Sequence, residues 1–276
     1  MRVGRMFRTY RFWPSMRTFC TDLGKANVKL CGCCQSYRFD EYHHFWRESW
    51  SIQKDMSSDV IDFKYRPDID GLRAVAVSLV LLFHAGLGFS GGFIGVDVFF
   101  VISGFLITGL ILKQQDASKF RLVNFWVRRI RRIVPAAMVM VVAVLIAGFF
   151  LLLPSDYVDL GKSTFAQQLM LSNVYFWGNT GYFDGPAELK PLLHTWSLAV
   201  EEQFYLVYPF LLVLLHRFGR RATVGTLSFL AIGSLILSQY GVHHYPSATF
   251  FVLPTRAWEL LIGGLICFLP SPRQIK

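Results

Sequence analysis

The chain has 276 residues, of which 53% are hydrophobic and 17% are charged, and its formal net charge is +10 at pH 7. This balance excludes an ordinary soluble domain, in which about a quarter of the residues are charged, and a disordered chain, which has low hydrophobicity. The positive charge does not indicate a nucleic acid partner, because Lys and Arg are concentrated in segments that flank long apolar runs. The sequence therefore predicts a membrane protein that binds no nucleic acid.

The first 60 residues differ from the rest of the chain because they are rich in Arg and contain no run long enough to cross a bilayer. We expect residues 1–60 to be a disordered tail, or an extension upstream of a true start at Met56. The CGCC sequence in this tail lacks a second ligand pair at the spacing of a zinc site, and His43 and His44 are adjacent to each other. No metal site is predicted.

Long apolar segments follow the tail. A helix rises 1.5 Å per residue, so about 20 apolar residues cross roughly 30 Å of hydrocarbon. The runs are continuous, whereas the strands of a membrane barrel would be shorter and would alternate. The sequence predicts an all-α, polytopic bundle of about six transmembrane helices. The predicted spans are 72–90, 92–112, 135–153, 198–216, 222–239 and 250–269.

The distribution of Lys and Arg predicts the orientation of these spans. Basic residues precede the first span, fill the connection between the second and third, and follow the fourth and the sixth. The connections 154–197 and 240–249 contain few or none. By the positive-inside rule, the basic segments are cytoplasmic and lie beside anionic lipid. We therefore expect both flanks of the span region to be cytoplasmic.

A histidine and an aspartate flank the first predicted turn between spans. His84 lies 11 residues after Arg73, which is roughly 16 Å along a helix, and Asp97 enters the second span about as far beyond the turn. Ionisable groups in a bilayer are costly and often functional. We expect His84 and Asp97 to lie at one depth and to pair, the carboxylate fixing the tautomer of a basic imidazole. A structural hydrogen bond between helices is the alternative.

Further polar residues lie near the outer ends of later spans. Glu201 and Glu202 follow the start of the fourth span, and Arg256 and Glu259 lie three residues apart in the sixth. Each alone is consistent with a membrane interface. Their occurrence on several spans at a similar depth predicts a polar cavity.

The connection KFRLVNFWVRRIRRIVP, residues 119–135, carries apolar residues at helical spacing and arginines on another face. Such a segment is typical of an interfacial helix anchored to lipid. Clustered guanidinium groups also bind phosphate in a bidentate manner. The pattern leaves both a lipid anchor and a site for a phosphorylated ligand open.

Four stretches in this order resemble the membrane-bound acyltransferase 3 family, the O-acetylases of bacterial surface glycans. The resemblance covers about 64–269, within a predicted domain of 64–276. Such members have about ten spans, and this sequence ends after the sixth, so we expect a partial domain. The stretches are YRPDIDGLRAVAVSLVLLFHAG, GGFIGVDVFFVISGFLI, FWVRRIRRIVP and LLHTWSLAVEEQFYLVYP.

The resemblance implies an enzyme of the bacterial inner membrane that moves an acyl group, usually acetyl, from cytosolic acyl-CoA to a hydroxyl of an extracytoplasmic or lipid-linked glycan. Acetyl-CoA is then a substrate, and no bound cofactor is expected. The stretch from Ser172 to Ser197 is most similar to members that modify lipopolysaccharide O-antigen. The expected catalytic residues are His84, Asp97 and Glu201, the donor-binding residues are Arg73, Arg129 and Arg132, and the other cavity residues are Ser103, Glu202, Arg256 and Glu259.

Two other interpretations fit the same residues. Intramembrane His, Asp, Glu and Arg also build the proton relays of transporters. An inactive, truncated fragment of an acyltransferase would retain the same motifs. A transporter has no need of the arginine cluster between the second and third spans, so binding of coenzyme A separates it from an acyltransferase.

Overall fold

The computed structural model describes residues 66–88, 90–179 and 190–269. All regular elements in these ranges are α-helices, which confirms the predicted all-α class. The predicted tail and its CGCC sequence lie outside the described residues. The helices are α1 Pro67–His84, α2 Ile94–Asp116, α3 Leu122–Leu151, α4 Pro154–Gln168, α5 Ser172–Gly178, α6 Thr195–His216, α7 Gly219–His244, α8 Pro246–Phe251 and α9 Leu253–Ile266.

Among the described residues, five segments are long and apolar enough to cross a membrane: α2, α3, α6, α7 and the α8–α9 segment Pro246–Ile266. They coincide with the last five predicted spans. The first predicted span, 72–90, falls on α1, which is not among the five. Its 18 residues include Asp68, Asp70 and Arg73, so its charge density is higher than that of the other spans.

An interfacial helix was one of the two possibilities that the sequence left open for the arginine-rich connection. The structure shows no separate helix there. The connection forms the beginning of α3, which continues without interruption from Leu122 to Leu151. No glycine ends the helix before Pro135, and proline is tolerated inside transmembrane helices, where neighbouring groups satisfy the freed carbonyl. The arginines are therefore fixed to a spanning helix.

The centre of the bundle lies between α2, α6 and α9, where Phe100, Tyr208 and Leu260 are buried. Helices α2 and α9 approach to backbone contact, because a Cβ built on Gly104 would overlap the carbonyl oxygen of Leu260. Small residues at such an interface allow close helix packing in membranes. The Tyr208 hydroxyl lies 2.7 Å from Thr108 Oγ1, which connects α6 to α2 inside this core.

Helix α3 presents large apolar side chains outward along its second half, with Val139, Phe149, Phe150 and Leu151 all strongly exposed. Such a surface is stable when lipid covers it, because lipid tails are as apolar as the side chains themselves. Four of the helices begin with a proline in their first turn, where the missing N–H leaves no hydrogen bond unmade. These prolines are Pro67, Pro154, Pro246 and Pro254.

Candidate functional site

A basic cavity of about 340 Å³ opens between α1, α2, α3 and α6. Arg66 and Arg73 line it from the start of α1, and Arg129 and Arg132 line it from the first turns of α3. Asp70 is the carboxylate among its lining residues, and it lies 3.9 Å from Arg73. The structure thus brings together the three arginines that were predicted from the sequence to bind a donor.

Arg129 is held in this cavity by aromatic rings. Its guanidinium carbon lies 4.8 Å from the ring centre of Tyr205 and 5.8 Å from that of Phe125. Trp126 Nε1 donates to the backbone carbonyl of Tyr205 at 3.1 Å, which fixes α3 against α6. Cation–π contacts orient an arginine without neutralising its charge, so Arg129 stays available to an anion.

Arg128 has a different environment. Its Nη2 lies 3.3 Å from Gln114 Oε1, at the end of α2. Within the arginine cluster, Arg129 and Arg132 line the basic cavity. They are three residues apart and therefore share one face of α3.

Ser103 and Glu201 meet at the end of the basic cavity, where the Ser103 hydroxyl donates to Glu201 Oε1. Ser103 lines the basic cavity, and Glu201 lines a second cavity of about 300 Å³ on the other side. We call the first the basic cavity and the second the apolar cavity. The Ser103–Glu201 contact lies where the two adjoin.

The apolar cavity lies between α1, α2 and α6. Its lining polar side chains are His194, Ser197 and Glu201, and the remaining lining residues are apolar: Val77, Val80, Leu81, Val96, Phe99, Phe100 and Leu198. Val80 and Leu81 precede His84 by about one helical turn. His84 does not line the cavity itself but follows these two lining residues on the side away from Arg73, and we call this end of α1 the rim.

His84 and Asp97 have other partners than each other. The Nδ1 of His84 lies 2.8 Å from the carbonyl oxygen of Val80, and Asp97 accepts a hydrogen bond from Arg256 Nη1 at 3.0 Å. Their depths differ because Gly95, two residues before Asp97, packs against Ala76 and Val80. Asp97 thus lies near the level of Ala76, about 12 Å below His84 along the antiparallel helices. The expectation that His84 and Asp97 lie at one depth and pair is therefore wrong.

Asp97 belongs to a charged cluster with Arg256 and Glu259. Arg256 Nη1 also donates to Glu259 Oε1 at 2.8 Å, and its guanidinium carbon lies 5.6 Å from the ring centre of Trp196. Glu259 is buried, whereas Asp97 is one-third exposed. The cluster connects α2, α6 and α9 beside the apolar cavity, but its members do not line that cavity.

Glu202 faces away from both cavities. It lines a separate cavity of about 30 Å³, large enough for a water molecule, together with Gln167 and Thr195. Its Oε1 and the Oε1 of Gln167 are buried without a hydrogen-bond partner among the described residues. The two adjacent glutamates predicted as one group are therefore divided between different surroundings.

His194 lies just before the fourth predicted span among the outer polar groups of the sequence, but it is not one of the expected site residues. It precedes α6, lines the apolar cavity, and is close enough to His84 to feel its charge. Burial lowers the pKa of His194, and His84 lowers it further, while a hydrogen bond with the Pro191 backbone opposes the shift. The signal in the sequence was its place in HTWS, directly before the glutamates.

A family model described as an acyltransferase domain matches residues 66–273. The chain belongs to the acyltransferase 3 family. Among the family, the chain is similar to the peptidoglycan O-acetyltransferase OatA of Listeria monocytogenes, with 40% identity over 215 residues, which are 75% of this chain and 34% of the relative.

A second acyltransferase relative is the O-acetyltransferase OatA of Staphylococcus aureus, with 38% identity over 221 residues, which are 77% of this chain and 36% of the relative. The chain thus spans about a third of the length of these relatives. No solved structure matches it. The residues that line the two cavities all lie within the matched acyltransferase domain.

Proposed function

We propose that the protein is an O-acyltransferase that moves an acyl group, usually acetyl, from acyl-CoA in the basic cavity to a glycan hydroxyl at the rim of the apolar cavity. The observation that carries this proposal is the alignment of the two cavities along α1. Arg73 lines the basic cavity, the Ser103–Glu201 contact lies where the two cavities adjoin, and His84 follows the apolar-cavity residues Val80 and Leu81 on α1. Family membership and the names of the relatives support this reaction class.

The basic cavity suits the phosphates of coenzyme A. Arg73, Arg129 and Arg132 present several N–H donors around one space, and guanidinium groups bind phosphate oxygens in pairs. The extended pantetheine arm is about as long as four to five residues of extended polypeptide, so it reaches roughly 15 Å. Because Arg73 and His84 are roughly 16 Å apart along α1, an arm that starts at the arginines brings the thioester to the rim.

His84 then serves as the general base. The hydroxyl oxygen of the acceptor attacks the thioester carbonyl, the C–S bond breaks, and the proton taken by the imidazole is returned to the departing thiolate. A positioned base of this kind accelerates such a step by about 10²–10⁴-fold. His84 is exposed at the rim, where a large, hydrated acceptor can reach it without entering the apolar cavity.

The acceptor is proposed to be a glycan of the cell envelope. The Listeria relative is named for peptidoglycan, while the stretch around Tyr175 and Trp177 resembles members that modify lipopolysaccharide O-antigen. Aromatic side chains on α5 and in the following connection suit the apolar faces of sugars. Tyr182 and Phe183 of that connection lie outside the described residues.

The proposed location is the bacterial inner membrane, with the basic cavity open to the cytoplasm. The support is the position of Arg66, Arg73, Arg129 and Arg132 at one end of the bundle and the positive-inside rule. Trp177→Cys, made in a chain whose five native cysteines are replaced, should react with an impermeant maleimide added outside intact cells. Labelling only after the cytoplasm is opened would reverse this orientation.

A transporter is the second candidate, because two cavities that adjoin at one polar contact are also expected of alternating access. The deciding experiment incubates the purified chain with radiolabelled acetyl-CoA and with peptidoglycan fragments or O-antigen. Saturable binding of acetyl-CoA with transfer of label to one glycan supports the acyltransferase. Absence of coenzyme A binding, together with solute uptake in proteoliposomes, would support the transporter.

A further inference from the structure

The Ser103–Glu201 contact lies where the basic cavity and the apolar cavity adjoin, on the path of the proposed donor arm. Ser103 belongs to the lining of the basic cavity and Glu201 to that of the apolar cavity. If the phosphates bind at the arginines and the thioester reaches His84, the arm must pass between these two side chains. The inference therefore rests on the proposed function.

The chemistry of the arm raises a specific requirement at this place. Pantetheine carries two secondary amides, each with an N–H donor, on an otherwise largely apolar chain. An amide that enters an apolar space without a partner loses the free energy of its hydrogen bonds to water. The walls of the apolar cavity are mainly Val, Leu and Phe side chains, which offer no acceptor.

Glu201 offers the missing acceptor. In the free protein, one of its oxygens accepts the Ser103 hydroxyl hydrogen. The cationic groups whose fields reach it are Arg129 and Arg73, but neither forms an ion pair with it among the described residues. A carboxylate has about four lone-pair sites, and its hydrogen bonds with N–H donors are stronger than those of a neutral acceptor.

We propose that Glu201 is the residue that positions the donor arm, by accepting a hydrogen bond from a pantetheine amide N–H. In the free protein the Ser103 hydroxyl donates to Glu201 Oε1, and when acyl-CoA binds the amide N–H competes with the serine for this oxygen. Glu201 thus recognises the amide-bearing arm, while the arginines recognise the phosphates. The carboxylate holds the arm in register with His84 and takes no part in proton transfer.

The test compares two ligands of the full chain in detergent micelles. Acetyl-CoA contains the arm, whereas adenosine 3′,5′-bisphosphate has two of the three phosphates of coenzyme A and no arm. The substitution Glu201→Gln should weaken acetyl-CoA binding about tenfold or more, because the neutral amide oxygen of glutamine is a weaker acceptor than a carboxylate oxygen. The affinity for the bisphosphate should stay at the wild-type value. Asp159→Asn, which changes a carboxylate on α4 that lines neither cavity, is the control and should change neither affinity.

Ser103→Ala is a second variant, and its expected effect on the affinity for acetyl-CoA is opposite to that of Glu201→Gln. Without the serine hydroxyl, Glu201 has no competing donor, so acetyl-CoA should bind as tightly as to wild type or more tightly. A contact that only stabilises the fold would instead weaken binding of both ligands in both variants. That outcome, or a wild-type affinity of Glu201→Gln for acetyl-CoA, would overturn the inference while leaving the donor site intact. Failure of the wild-type chain to bind even the bisphosphate would overturn the proposed donor site itself.

Discussion

The Nδ1 atom of His84 lies 2.8 Å from the carbonyl oxygen of Val80, one turn earlier on the same helix. A carbonyl oxygen only accepts hydrogen bonds, so Nδ1 carries the hydrogen in the neutral ring, and Nε2 keeps its lone pair. The helix backbone therefore sets the tautomer that a base requires. This is the role that sequence reasoning had given to Asp97.

Replacement of His84 tests the proposed base directly. His84→Ala should reduce acyl transfer by roughly 10²-fold or more and leave acetyl-CoA affinity unchanged, because proton removal matters in the transition state and not in donor binding. The control is His216→Ala, which changes the last residue of α6 and should retain wild-type turnover. A folded His84→Ala protein with wild-type turnover would exclude the catalytic role.

Asp97→Asn should affect stability and not the pH dependence of transfer. The substitution removes one of the two carboxylates that share Arg256, and breaking a partly buried charged hydrogen bond costs about 1.5–3 kcal/mol. We expect a clearly lower thermal midpoint in detergent. Asp159→Asn breaks an exposed pair with Lys162, which contributes about 0–1 kcal/mol, and is the control. A shifted pH–rate profile for Asp97→Asn would restore the link to His84.

The donor site is tested by the double substitution Arg129→Gln and Arg132→Gln. Each charge-assisted phosphate contact contributes about 1.5–3 kcal/mol, so the affinity for acetyl-CoA should fall by at least tenfold in isothermal titration. Arg217→Gln with Arg221→Gln removes the same charge from residues that do not line the basic cavity. Equal affinities in the two double variants would favour the lipid-anchor interpretation of the α3 arginines.

The backbone contact between α2 and α9 predicts a difference between two glycines of one helix. Gly104→Ala would drive its methyl group into the carbonyl of Leu260, and overpacking of this kind costs about 1–3 kcal/mol. Gly109→Ala meets only Cys267 Sγ, at 3.8 Å, and should be tolerated. Thermal melting of both variants measures the difference, and equal midpoints would show that the helices can separate without cost.

His194 should make the fold sensitive to acid. Since burial lowers its pKa in the folded protein, the unfolded state binds the proton more readily, and stability rises with pH between the lowered value and the ordinary value of 6.5. The full contribution is present above that range and is lost as the pH falls through it. Thermal midpoints of His194→Gln should depend less on pH than those of wild type. Identical pH dependence would contradict the shift.

The grouping of Arg73 with Arg129 and Arg132 came from the family resemblance, whereas the sequence itself predicted the helical class and five of the spans, because apolar length is a local property. It failed for the His84–Asp97 pair, which depends on how two helices slide past each other. Contacts of Gly92 and Gly95 with α1 set that register, and nothing in a single sequence reports it. The separation of Glu201 from Glu202 was missed for a related reason: adjacent helical residues point about 100° apart, and only the neighbouring helices decide what each one meets.

The length of α3 has a consequence for the membrane itself. Its 30 residues extend about 45 Å, whereas the hydrocarbon layer is about 30 Å thick. Arg129 and Arg132 lie in the surplus at its beginning, so the helix carries them past the acyl chains and into the headgroup layer. A thicker bilayer would draw part of that surplus inward, and tilting of α3 would absorb part of the mismatch. The reach of the arginines into water is thus set jointly by the protein and by the lipid, and bilayer thickness becomes a variable that tunes access of the donor.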